Sequence, residues 1–557
     1  MGTKYVRADI EATTAGTPGV ELSSASTGLT DVYVYSDVNV ISSYDDGIRG
    51  FGSEHDALIG GYIVGDRNGI RLGDSSSIDH DQRVLIYSSG VSVGINNAGV
   101  AVYGYNSVVT INGEVQGDIY GILMSGISNK YKSTVNNDGE VFANSYGVAH
   151  SLSGGDTEGL VLRNTGYIEG GLFSFFGGDN NIASDRIVNS GRMVGDVSMG
   201  GGDDVYDARQ GGTVEGTVFG GLGDDRFVGT SNDDIFVGDA GNDRLDGGRG
   251  YDTLTGGLGD DTYILRSTAL DVRPDPDADP TIYGDTVIEL KNQGIDTIYA
   301  NFEFDLANYI NVENGVLNAL SRNDGDSWDL FGTAVSNSIT GNDGDNRIDG
   351  REGADQLIGL GGNDTYYVDN SLDKVVEGAN GGTDTIITSV TYSLAGLQVE
   401  NITINGAGNI NITGNSLENV IYASPGSNVI NSGGGSDAIT LSGASDISDK
   451  DVLVFSSALG PDNFDRISQF NGMDQDMIHL SSSIFKGLSQ GALSAQAYQS
   501  GSTIVAATSD VRIIYSTSTQ SLYYDSDGSG SAAAVPFALL YYSGAGTTPG
   551  YEDFLIV

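Results

Sequence analysis

Aspartate returns at every ninth residue between Gly220 and Ile264. The stretch divides without a gap into GGLGDDRFV, GTSNDDIFV, GDAGNDRLD, GGRGYDTLT and GGLGDDTYI. Asp225, Asp234, Asp243, Asp252 and Asp261 hold the sixth position; Phe227, Phe236, Leu245, Leu254 and Tyr263 hold the eighth. Carboxylates repeated so regularly can be gathered by the fold. Gathered carboxylates either repel one another or supply oxygens to a hard cation.

A nine-residue unit reads as a six-residue turn followed by a three-residue strand. Alternation along the strand points position eight inward and positions seven and nine outward. Glycine at positions one, two and four permits left-handed backbone and close chain approach. Two units make one coil, so turns on one side lie eighteen residues apart. Asp225, Asp243 and Asp261 should line one edge, and Asp234 with Asp252 the other. The block resembles the calcium-binding nonapeptide of RTX proteins. That resemblance implies a parallel β-roll with Ca²⁺ at its turns, where carboxylates and turn carbonyls supply about six to eight oxygens. Without the ion the charges repel; with it each coil is clamped to the next, so binding and folding form one event.

A second block, 332–367, reads GTAVSNSIT, GNDGDNRID, GREGADQLI and GLGGNDTYY; a third, 414–440, reads GNSLENVIY, ASPGSNVIN and SGGGSDAIT. Their sixth positions are Asn337, Asn346, Asp355, Asp364, Asn419, Asn428 and Asp437. Asn offers a neutral carbonyl in place of a carboxylate. Metal is therefore expected at Asp355, Asp364 and Asp437, with Asn ladders holding the other turns.

The 557 residues carry a net charge of −49 and 84 glycines, with no cysteine. Residues 1–200 hold 16 Asp and 7 Glu against 11 Lys and Arg, a charge of −12, which leaves −37 for the remainder. The acidic excess lies with the repeats, which fits bound cations and argues against nucleic acid, whose partners need a basic face. Metal and coil stacking replace disulfides as staples. No apolar stretch of about 18 residues is present, so no membrane insertion is expected; the N-terminus lacks the apolar core of a cleaved signal peptide.

Residues 1–198 alternate short apolar strands with Asn-x-Gly turns at a loose period, as in INNAGVAVYG (95–104) and LRNTGYIEGGLF (162–173). The expected fold is all-β: a right-handed parallel β-helix over 1–198 continuing into a β-roll over 199–264. An acidic insertion and spacer follow (265–331), then the second block (332–367), then a spacer with a degenerate third block (368–440). The spacer segments 294–314 and 382–401 resemble each other. Residues 441–557 form a β-rich domain resembling the C-terminal secretion domain of RTX proteins, on DVLVFSSALG (451–460), IIYSTSTQSLYYDSDGSG (513–530) and EDFLIV (552–557). That resemblance implies export by a type I secretion apparatus and folding outside the cell, where calcium suffices for sites of about 10⁻⁴–10⁻³ M affinity.

No H-E-x-x-H occurs. GVSVG (90–94) and GLSQG (487–491) match G-x-S-x-G without the strand-turn-helix context a nucleophile elbow needs. SSIDHDQR (76–83) gathers Asp79, His80, Asp81 and Arg83. In a β-helix this could serve a polysaccharide epimerase or lyase, which needs charge neutralisation, a base and an acid. The favoured expectation is a secreted calcium-binding protein with a structural or adhesive role at the cell surface or in the matrix, self-associating into a layer or filament or binding a cell-surface glycan.

Overall fold

The computed structural model describes residues 2–22, 29–74, 79–126, 131–150, 158–178, 182–266, 284–318, 327–442, 450–471, 476–541 and 548–557. The proposed acidic insertion at 271–280 lies outside them. Among the described residues there is no α-helix; strands and three short 3₁₀ turns make up the regular structure. The chain divides into two units, Met1–Tyr299 with Asn308–Val312, and Ala300–Ala307 with Glu313–Val557.

Unit 1 is a parallel coil. In its N-terminal part each turn of the coil contributes three strands. Tyr62–Gly65, Val91–Gly94, Glu114–Gly117 and Glu140–Ala143 pair in register as one ladder. Ile70–Leu72, Ala98–Tyr103, Tyr120–Ser125 and Tyr146–His150 form a second, and Arg83–Ile86, Val108–Ile111, Ser133–Asn137 and Glu158–Asn164 a third. Successive Asn-x-Gly turns stack as a neutral spine. Asn137 donates its amide to Asn164 at 2.8 Å, 27 residues on, and Asn164 to Asn189 at 2.8 Å, 25 residues on. All three are fully buried, where an amide is tolerated because each hydrogen bond is made. The sequence periodicity and the parallel β-helix agree.

The first ladder ends with Thr213–Glu215. Thereafter each coil has two strands and shortens to 18 residues. Arg226–Thr230, Arg244–Gly248 and Thr262–Leu265 pair in parallel on one side, Ile235–Ala240 and Thr253–Leu258 on the other. Phe227, Phe236, Leu245, Leu254 and Tyr263 fill the space between at 0–1 % exposure. The eighth position carries most of the core of the roll; position nine, expected to point outward, is also buried at Val228 and Ile264. This is the β-roll the nonapeptides imply.

Unit 2 repeats the two-strand plan. Trp328–Phe331, Asn346–Asp349, Thr365–Val368, Thr385–Thr388 and Asn401–Ile404 pair in parallel, continued by Val420–Tyr422, Ala438–Thr440 and Asp465–Ser468. There the plan changes. Asp465–Ser468 pairs with Val535–Tyr541, which pairs antiparallel with Ser521–Tyr524, and that with Ile513–Ser516. This meander covers the last parallel edge, which would otherwise invite pairing with another chain. Phe455, Phe485, Phe537 and Tyr524 pack edge-to-face beneath it at 5.1–5.2 Å. The Asp525–Gly528 stretch opens a long connection between Ser521–Tyr524 and Val535–Tyr541; the tight hairpin turn lies at 517–520.

Candidate metal centre

In the roll, the sixth-position aspartate ends the turn and starts the strand. Its side chain therefore lies against the turn of the neighbouring coil. Asp225 N donates to Oδ1 of Asp243, and Asp243 N to Oδ1 of Asp261, both at 2.7 Å and both 18 residues apart. On the opposite edge Asp234 N donates to Oδ1 of Asp252 at 2.8 Å. Asp225, Asp243, Asp252 and Asp261 are 1–2 % exposed and Asp234 7 %. The structure thus brings Asp225, Asp243 and Asp261 to one edge, and Asp234 and Asp252 to the other.

In unit 2, Asn337 N donates to Asp355 at 2.7 Å, Asn346 N to Asp364 at 2.7 Å and Asn419 N to Asp437 at 2.8 Å. Each edge runs further than the nonapeptides do. Asp185 N donates to Asp204 and Asp204 N to Asp225, and the ladder passes beyond Asp261 to Asp296. Asp252 N reaches Asp285, Asp355 N reaches Asp373, Asp364 N reaches Asp384, Asp437 N reaches Asp465, and Asp451 N reaches Asp476. None of these further aspartates was singled out from sequence. Their common signal is Asp-x-apolar, positions six to eight of the unit, behind an incomplete set of glycines at positions one, two and four: Asp204-Val-Tyr206, Asp296-Thr-Ile298, Asp384-Thr-Ile386, Asp465-Arg-Ile467.

The second carboxylate oxygen sorts the turns. Oδ2 of Asp204, Asp225, Asp243, Asp252, Asp261, Asp355, Asp364 and Asp437 is buried without a hydrogen-bond donor from the protein. In these turns position two has left-handed backbone: Gly200, Gly221, Asp239, Gly248, Gly257, Arg351, Leu360 and Gly433, with φ from 62° to 111°. Leu360 at φ 80° and Arg351 at φ 62° hold a conformation that bulky residues rarely adopt. Where position two is Thr or Asn, the turn closes on itself. Thr230 donates its backbone N and its hydroxyl to Oδ2 of Asp234 at 2.9 and 3.2 Å. Thr333 caps Asn337, Asn342 caps Asn346 and Asn415 caps Asn419 through the same backbone bond. Asp234 thus differs from its four neighbours: its Oδ2 already has two protein donors.

Burial raises every open carboxylate. Asp225 and Asp364 are pushed up to about 8, and Asp243 and Asp355 to about 7, with neighbouring carboxylates adding to the rise and the backbone donor opposing it. Asp204, between Asp185 and Asp225, reaches about 10. A row of buried, like-charged oxygens without donors calls for protons or for a cation.

The first-position glycine gives the space. A Cβ on Gly238 would lie 2.1 Å from Asp243 Oδ2, on Gly247 2.2 Å from Asp252 Oδ2, and on Gly350 2.3 Å from Asp355 Oδ2. All-oxygen surroundings, an unpartnered anionic oxygen and a side-chain-free wall fit a hard divalent ion.

The Asp79–Arg83 group is arranged otherwise. Asp79 is buried and its Oδ2 accepts the amide of Asp74 at 3.0 Å. His80 Nδ1 lies 2.8 Å from Asp81 Oδ2, and Arg83 sits in register with Asp56 on the preceding coil. Ser92 of GVSVG is buried within Val91–Gly94 and donates to the carbonyl of Gly99 at 2.9 Å.

The family model of the RTX calcium-binding nonapeptide repeat matches four segments, residues 219–254, 237–265, 331–366 and 413–447. They fall on the three repeat blocks, and repeats of this kind bind calcium. An endo-1,3-1,4-beta-glycanase, ExsH, of Rhizobium meliloti (strain 1021) is 34% identical over 98 residues, 18% of this chain and 19% of that protein. The chain thus spans about a fifth of the length of the curated relative it matches.

Proposed function

From the premise that the chain carries RTX calcium-binding nonapeptide repeats, we propose that it is an extracellular calcium-loaded protein with a structural or adhesive role, exported before it folds. The observation that carries this reading is the ladder of buried aspartates, each giving one oxygen to a neighbouring coil and keeping the other for an ion. Asp225, Asp243, Asp252, Asp261, Asp355, Asp364 and Asp437 are the ligands we assign; Asp234 is the ligand the closed turn disfavours. Bound calcium would supply the positive charge these oxygens lack, and the chain's own turns hold them in place and keep water from between the coils.

Coiled repeats present long regular faces suited to lateral contact. On unit 1, Tyr120, Tyr146 and Phe173 form a half-buried row of stacked rings, one per coil, at 5.3 and 6.0 Å. Such a row favours a repetitive partner, either a second copy or a glycan. Among the described residues no helix is long and apolar enough to cross a membrane. Negative-stain imaging of the purified chain with chelator and with millimolar calcium tests the reading. Ordered layers, filaments or glycan-decorated particles that need calcium are expected. Full β-structure in chelator, or cleavage of a polysaccharide lost in His80→Ala, would replace it with another.

A further inference from the structure

Two places where a glycine turn gives way to a longer connection carry the same constellation. At the first, Asp261, Glu289 and Asp296 bring carboxylate oxygens within 4.8 Å of one another; at the second, Asp364, Glu377 and Asp384 do so. In each, the eighth-position tyrosine donates its hydroxyl to the glutamate, Tyr263 to Glu289 and Tyr366 to Glu377. The chain routes differ, 26 residues separating tyrosine from glutamate in one and 11 in the other, yet the oxygens converge on the same spot. A Cβ on Gly256 would lie 2.1 Å from Asp261 Oδ2, 2.3 Å from the Tyr263 hydroxyl and 2.5 Å from Glu289 Oε1. On Gly359 it would lie 2.0 Å from the Tyr366 hydroxyl, 2.1 Å from Asp364 Oδ2 and 2.7 Å from Glu377 Oε1.

Oδ2 of Asp261, of Asp364 and of Asp384 has no protein donor, and these residues are 0–1 % exposed. Three carboxylates this close, in so dry a place, cannot all stay charged without a cation among them. An ordinary turn of the block gathers fewer. Tyr263 and Tyr366 stand where the other nonapeptides of their blocks have Phe, Leu or Ile: the ring still fills the core, and its hydroxyl fixes the glutamate.

We propose that each triad is a distinct cation site that terminates its repeat block, taking calcium or another hard, oxygen-seeking ion and filling before the turns within the block. This rests on the calcium-binding reading above and adds glutamate and tyrosine to the ligand environment. The test uses the full chain titrated with terbium, with emission excited through tyrosine, and calcium counted by mass spectrometry. Sensitised emission should rise first and level off once both triads are filled. Glu289→Gln with Glu377→Gln should abolish that phase and lower the calcium count by two, whereas Asp243→Asn should lower the count and leave the early phase intact. An early phase absent from the wild-type chain, or emission and count unchanged in the double variant, overturns the proposal while leaving the in-block sites standing. Should the double variant not fold, Tyr263→Phe with Tyr366→Phe keeps every carboxylate; loss of the early emission supports the proposal and its retention overturns it. A wild-type chain that binds neither ion overturns the parent reading as well.

Discussion

The amide of Asp225 donates to Oδ1 of Asp243 at 2.7 Å, while Oδ2 of the same carboxylate stays buried without a donor. One oxygen serves the backbone and the other serves charge, so an isosteric amide separates the two roles. Asp243→Asn keeps an acceptor for Asp225 N and removes the charge. The calcium midpoint for β-structure, followed by circular dichroism, should rise several-fold, while the calcium-free chain gains residual structure. An unchanged midpoint would show that this oxygen meets no ion.

Asp234 should behave differently. Its Oδ2 is held by Thr230, so Asp234→Asn should move the calcium midpoint less than Asp252→Asn does on the same edge. Thr230→Gly, which frees that oxygen and permits left-handed backbone, should add one calcium to the chain. Equal shifts for the two asparagine variants would remove the distinction between open and closed turns.

Proton linkage gives a sign. Burial raises Asp225 and Asp261 to about 8 and Asp243 to about 7, against an ordinary aspartate near 4. The calcium-free fold therefore binds protons that the unfolded chain has released. Its stability is fullest below about pH 4 and is lost as pH rises through about 7 to 8. In chelator, β-structure should increase on acidification from about pH 8.5 to about 5, while the calcium midpoint climbs because protons compete for the same oxygens. A calcium-free chain more structured at the alkaline end would contradict this.

Gly238→Ala places a methyl group 2.1 Å from Asp243 Oδ2. Overpacking of this kind costs about 1–3 kcal/mol, and here it falls on the ion's space. The calcium midpoint should rise at least as far as in Asp243→Asn, without the residual structure that variant gains in chelator. A wild-type titration curve would mean that the ion sits elsewhere.

The neutral spine should be indifferent to calcium. Asn164→Ala removes one bond from the Asn137 amide, which keeps the Tyr167 carbonyl, and one from the Asn189 carbonyl, which keeps the Gly191 amide, a cost of about 0.5–1.5 kcal/mol for each hydrogen bond lost. Denaturant unfolding of unit 1 should shift to lower concentration by the same amount with and without calcium.

Much of this was legible in the order of residues. The glycines and aspartates of 220–264 announce the roll because each type answers one geometric need: φ > 0, an edge carboxylate, an inward ring. Asp296, Asp384 and Asp465 were missed because, of the glycines at positions one, two and four, their turns keep one each, Gly294, Gly382 and Gly460, and only the pairing of Thr297–Ala300 or Asp465–Ser468 with a neighbouring strand places them on an edge. Asp234 was read as equal to Asp252 because both stand sixth; Thr230 N–H and hydroxyl, which set it apart, depend on a turn conformation that the residue order alone leaves open. The triads were invisible for a different reason. Glu289 and Glu377 lie at unequal distances along the chain from their tyrosines, so no fixed spacing marks them.

The Asn137–Asn164–Asn189 amides and the Asp204–Asp225–Asp243 carboxylates belong to one continuous winding of unit 1. The coils of the asparagine spine close their ladder without a cation, so they can act as a seed onto which the aspartate-edged coils crystallise as ions arrive, one layer at a time. Growth of that kind has a direction. Hydrogen exchange sampled along a calcium jump should show protection spreading from Asn189 towards Asp261, as a front and not as a single switch.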